Sequence, residues 1–159
     1  MARPARAIEP EEILTQLLGF DPDLTLESYW GERSIFLNPG RQAPLGVIWA
    51  SVKDHDGEND RSANLSRAGV YRFAFQLSRA NYEREFGDLP RRPPKGGVVQ
   101  VPGYDPTRLN EVMPHPVYAW MAWVQVLSPT TECFESLRPL LAESLDAVRE
   151  KWQRRPTAA

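Results

Sequence analysis

Two rhythms of apolar and polar positions run through this chain. Over 10–18, Ile13, Leu14, Leu17 and Leu18 recur at the three- and four-residue spacing of a helix face. Pro10 suits the first helical position, Glu11 and Glu12 complement the positive helix end, and Gly19 stops it. The period then changes to two. Residues 24–30 alternate loosely, Gly31-Glu32 makes a turn, and Arg33 to Leu37 returns, which predicts a hairpin closed by Asn38-Pro39-Gly40. Leu45 to Val52 is a strand with bulky residues on both faces. Val70 to Leu77 alternates most cleanly. Tyr71, Phe73, Phe75 and Leu77 share one face; Arg72, Ala74 and Gln76 share a second, expected to be partly wet.

Between the strands lie polar stretches. Residues 53–66 read KDHDGENDRSANLS, a polar loop. Ser78 is placed to cap a helix over 79–86. Residues 87–97, GDLPRRPPKGG, are too rich in proline and glycine for a regular element. Val98 to Val101 reads as a short edge strand. Asp105-Pro106 opens a short helical turn through Val112.

The longest apolar run lies in Met113 to Leu127. From Ala119 onward only Gln125 is strongly polar, and the run is far short of the ~20 residues that span a bilayer as a helix. Its valines and tryptophans favour a central strand, starting after Pro116 and ending before Pro129. His115, held between two prolines, is extended and stands at the strand's entrance. After it, Phe134, Leu137, Leu141, Ser144, Val148 and Trp152 form a helical stripe that Pro139 interrupts. The helix kinks there, or a short helix ends and a longer one begins near Arg138. The pattern predicts one α+β domain over 10–153: a two-layer sandwich of an antiparallel sheet against N- and C-terminal helices. Residues 1–9 form a disordered lead-in and 154–159 a frayed tail.

Composition adds bounds. The chain has 159 residues, 42% of them hydrophobic, which suits one domain with a real core. The net charge of −2 supplies no global field toward nucleic acid. A single cysteine, Cys133, excludes an internal disulfide and fits a reducing cytoplasm. The N-terminal arginines lack an apolar stretch and make no secretory signal. The abundance of proline and arginine suggests a GC-rich bacterial genome.

Several residue groups have chemistry to offer. Asp54, His55 and Asp56, with Glu58 and Asp60, carry donors for a hard or borderline metal, although the spacing is no EF-hand and a solvated acidic loop explains them too. His115 with Tyr118 is a candidate acid/base pair, set against a structural histidine bonded to backbone. Cys133 lies near a helix start that would activate a thiol, or packs as a small apolar residue. Arg91, Arg92 and Lys95, with Arg79, Arg84 and Arg108, supply a basic face or a solubilising one. Arg67, Arg72, His115, Tyr118 and Trp120 are the candidate ligand-binding set, where the His115 segment meets the strand after Arg67; the two arginines grip an anionic ligand or pair with the Asp54 to Asp60 loop just before them. No Walker loop, dinucleotide fingerprint, zinc-ligand spacing or nucleophile elbow occurs, so no cofactor is implied.

The blocks Asn64 to Arg72, Met113 to Trp120, Trp123 to Pro129 and Arg138 to Ser144 resemble an uncharacterised bacterial domain family, common in actinobacteria, with a His-Pro-x-Tyr-x-Trp motif at His115–Trp120. More distantly, the order of elements resembles the MmcQ/YjbR-like proteins. That resemblance implies a frataxin-like (CyaY-like) sandwich and, for some members, DNA binding; the loops 53–66 and 87–97 look like elaborations on it. The functional expectation is a small non-catalytic cytoplasmic binding module for a small anionic ligand or a protein partner. Its alternatives are a DNA-binding protein and an enzyme using His115 as general acid/base.

Overall fold

The computed structural model describes residues 6–29 and 31–155. Six strands make one sheet in the order β1-β2-β3-β4-β6-β5, every neighbour antiparallel. They are β1 (Leu24–Tyr29), β2 (Glu32–Leu37), β3 (Val47–Lys53), β4 (Arg72–Gln76), β5 (Met113–Pro114) and β6 (Trp123–Leu127). The helices are α1 (Pro10–Leu18), α2 (Arg79–Phe86), α3 (Thr131–Ser136) and α4 (Arg138–Arg154). The class is α+β, as the pattern predicts.

Local signals set the helix ends. Ser78 accepts the N–H of Asn81 and starts α2; Thr130 accepts the N–H of Cys133 and starts α3. Pro139 falls in the first turn of α4, where its missing N–H costs nothing, so the interrupted stripe resolves into two helices meeting at Leu137.

One face of the sheet belongs to the helices. Ile35, Ala50, Phe75 and Val124 stand in one cross-strand row, and Val52, Phe73 and Val126 in the next. All are buried in the main core with Leu141, Leu145 and Val148 of α4. The Trp49 indole donates to Ser144 Oγ at 2.8 Å, and Ser144 donates to the Gln76 carbonyl at 2.7 Å, which pins α4 across the sheet. By alternation the other face carries the row Ser34, Ser51, Ala74, Gln125 and Met113, flanked by Lys53 and Arg72. Loops cover this second face.

A bulge makes the two faces compatible. Ile35 pairs with Ala50 but Phe36 pairs with Ile48, so Trp49 is extra in β3. Trp49 and Ala50 both serve the helical core, while Ile48 and Ser51 both face the second side. Strict alternation would place Ile48 and Ser51 on opposite faces.

The structure corrects several expectations. The strand expected between Pro116 and Pro129 is only β6; Ala119–Met121 is a 3-10 turn that ends at Ala122 in the left-handed region, with φ 66. A left-handed alanine turns the chain where no glycine announces it. Pro114 does not fence the sheet but closes β5, an edge strand where a missing N–H is tolerated. Residues 98–101 form no strand: Val99 donates to the Pro116 carbonyl without a ladder. Residues 105–112 form no helix; Asp105 instead takes the N–H and hydroxyl of Thr107 in a local turn. The second face of β4 is not wet, since all five residues are buried. In the expected lead-in, residues 1–5 lie outside the described residues, whereas Ile8 is buried and donates to the Pro129 carbonyl at 2.8 Å. The expected tail lies outside them from residue 156; α4 runs to Arg154.

Candidate functional site

The loop-covered face of the sheet holds a cavity of about 370 Å³. Strands β2 and β3 furnish Glu32, Ser34, Phe36, Ile48 and Ser51. The segment crossing above them adds His115, Tyr118, Met121 and Trp123. The lining is mainly apolar and aromatic, with a few polar groups, which is the make-up of a small-molecule site. Tyr118 and Met121 are exposed at its mouth.

His115 is fixed by its own backbone. Its N–H donates to the Trp123 carbonyl and its carbonyl accepts from Ala119. Its ring then takes the next two amides: the N–H groups of Val117 and Tyr118 both donate to Nδ1 at 3.1 Å. An imidazole nitrogen accepting hydrogen bonds carries no proton, so the proton resides on Nε2. Both hydrogen bonds to the ring fall on Nδ1, which leaves Nε2 as its remaining polar atom, and the residue is 3% exposed. Burial holds the imidazole neutral, well below its ordinary pKa; the Arg72 and Lys53 charges push the same way and Asp60 opposes them. The Tyr118 ring leans over it with centroids 5.0 Å apart.

Beside the cavity lies a buried charge network. Arg72 meets Asp60 through Nη1–Oδ2 at 2.5 Å and Nη2–Oδ1 at 2.9 Å, and its Nε donates to Gln125 Oε1 at 2.8 Å. Lys53 Nζ adds a bond to Asp60 at 3.1 Å and stands 3.7 Å from Glu32. Gln125 Nε2 donates to the Pro106 carbonyl. Burial penalises the Asp60 carboxylate, but the hydrogen bonds and charge of Arg72 outweigh it and hold the pKa far below the usual range. Gly57 makes room: a Cβ there would sit 2.8 Å from Lys53 Nζ. Two cations face two carboxylates, so the network closes without net charge.

The residues singled out from sequence scatter. His115 and Tyr118 meet in the cavity. Arg72 lies beside it, wholly engaged. Arg67 is elsewhere, donating to the carbonyls of Ala63, Asn64 and Thr107, which ties two loops together. Trp120 stacks under Arg92 at 4.8 Å, outside the cavity. Asp54 and His55 pair at the surface at 3.0 Å, and Asp56 accepts from Leu65 N–H and Ser66. Among the described residues no three His, Cys, Asp or Glu side chains gather as a metal site. Arg79, Arg84 and Arg108 each pair with a glutamate. Cys133 is half-buried against the core, and burial raises its pKa. Sequence reasoning missed Glu32, Ser34, Ser51 and Lys53. Small polar residues at matched positions in two otherwise apolar strands were the available signal.

Residues 8–157 match a family described as a family of unknown function (DUF6194). No curated protein and no solved structure matches the chain. Among the described residues no helix is long and apolar enough to cross a membrane.

Proposed function

Because the chain belongs to the DUF6194 family, whose function is unknown, we propose its role from its own geometry: a non-catalytic module that holds a small molecule in the cavity above β2 and β3. One observation carries the reading. A nearly buried histidine lines an apolar cavity with Nδ1 already taken by two backbone amides, so Nε2–H is the donor its ring has left to offer. A single donor in a mainly apolar pocket is the kind of group that orients a bound small molecule. The reading is non-catalytic because Nδ1 is occupied and Nε2 holds its proton; the ring offers a hydrogen bond rather than a base. The pairing of Arg79, Arg84 and Arg108 with carboxylates favours this reading over a nucleic-acid surface.

The test fills the cavity from opposite walls. Ser51→Leu intrudes from the sheet and Met121→Trp from the mouth. Neutral aromatic fragments followed by ligand-observed NMR should bind the native chain and lose at least tenfold in affinity on each filled variant that keeps its circular dichroism. Equal binding to native and filled proteins removes the proposal.

A further inference from the structure

We infer that the cavity selects a neutral ligand whose apolar body carries one carbonyl-type acceptor, seated against the N–H of His115. The inference rests on the binding function proposed above and names the chemical class it takes.

The tautomer sets the polarity of the contact. Two backbone amides claim Nδ1, so the ring presents Nε2 as a donor and the ligand must accept. The charge pattern sets the ligand's charge. The two cations nearest the ring, Lys53 and Arg72, are already matched to Asp60 and Glu32. The Glu32 carboxylate itself lines the cavity. A ligand carboxylate would shed its hydration into an apolar space, find no free cation and meet a like charge. An uncharged ketone, ester or amide oxygen avoids all three costs. The walls set the body: Phe36, Tyr118 and Trp123 on the aromatic side, Ile48 and Met121 on the aliphatic. The two serines, Ser34 and Ser51, allow a second weak polar contact and do not reverse the sign of the first.

Three probes of one shape separate the possibilities: acetophenone, ethylbenzene and benzoate. Their affinities for the full chain are measured by ligand-observed NMR and calorimetry, and the histidine ring nitrogens are followed in a long-range proton–nitrogen spectrum. Acetophenone is expected to bind roughly 2- to 10-fold tighter than ethylbenzene, the span of one net hydrogen bond, with benzoate weakest. The Nε2–H signal of His115 should move with acetophenone and not with ethylbenzene. His115→Asn keeps an oxygen where Nδ1 accepts the two amides and removes the donor, so it should equalise acetophenone and ethylbenzene. His115→Gln keeps a donor near Nε2 and should retain part of the preference. If both variants unfold, the nitrogen spectrum of the native chain still decides. Benzoate binding tightest, or no preference between the two neutral probes, overturns this inference while leaving the binding function intact. No binding of any probe overturns both.

Discussion

Arg72 and Asp60 form a two-pronged ion pair inside the protein, between the first residue of β4 and a loop twelve residues upstream. The arginine is 2% exposed, and Gln125 occupies its remaining Nε donor. A buried pair of this kind contributes little net stability compared with an apolar replacement, but losing one partner strands the other. Arg72→Met should therefore cost about 3–5 kcal/mol of unfolding free energy. Adding Asp60→Asn should recover a substantial part of that loss, because it neutralises the stranded carboxylate. Urea denaturation of the single and double variants measures both. A double variant no more stable than Arg72→Met contradicts the stranded-charge account.

Ser144 links the helix layer to the sheet by accepting from Trp49 and donating to Gln76. Ser144→Ala leaves the indole N–H and the carbonyl without partners in a dry core. The expected loss is about 1–3 kcal/mol, with a tryptophan emission shift that reports the released indole. A change within about 0.5 kcal/mol, the size of a surface substitution, contradicts the role assigned to the hydroxyl.

Acid should weaken the fold in two steps of the same sign. His115 is held neutral in the folded state, with its pKa below the ordinary 6.5. As pH falls through 6.5 the unfolded chain takes up a proton that the folded chain refuses. Stability then declines by up to about 1.4 kcal/mol per pH unit until the folded pKa is reached. Asp60 adds a second decline below its ordinary 3.8, since its folded pKa is also depressed. The groups that act on the His115 ring are Arg72, Lys53 and Asp60. His115→Asn should flatten the first decline and leave the second. Urea midpoints between about pH 7.5 and pH 5 test it; an unchanged slope in the variant rejects the assignment.

Tyr82 gives a prediction of opposite sign. Its hydroxyl is buried without a hydrogen-bond partner among the described residues, and burial pushes its pKa up to about 12. Tyr82→Phe keeps the ring and its contact with Phe86 at 5.4 Å while removing an unsatisfied group. Stability should hold or rise by up to about 1–3 kcal/mol, the penalty of an unmade bond. A loss above about 1 kcal/mol, read by thermal melting, shows that the hydroxyl has a partner.

Elements with their own local signals were legible in the sequence. The Pro10 start and Gly19 stop of α1, the Ser78 cap of α2 and the split at Pro139 are each written within a few residues. The hairpin of β1 and β2 was legible too, since its turn and alternation are local. The site was half legible. His115 drew notice through its flanking prolines, but the amides that fix its tautomer belong to Val117 and Tyr118, and backbone donors have no residue letter. Pairing of Arg72 with the Asp54 to Asp60 loop was one of two readings the sequence left open, but which carboxylate it meets was not legible, because that depends on how the loop folds over the sheet face. The apolar run from Ala119 read as strand because nothing in it breaks alternation; the turn is made by Ala122 in a conformation that alanine seldom adopts. Val98 to Val101 has strand propensity and lies beside the edge strand β5, but Pro114 and Pro116 have no N–H to give a ladder, so the contact stops at the bond from Val99 to the Pro116 carbonyl.

The sheet thus carries two covers of different kinds. The helical cover is glued by close-packed hydrocarbon, while the loop cover is fastened at a few points, by Arg72, Arg67 and the Asn110 amide bonded to Leu127. Covers of the second kind open at a fraction of the global unfolding free energy. The loop side is then a door and the helical side a wall: amides around 101–109 should exchange with solvent well before those of β3 and β4. A guest can enter while the wall stands.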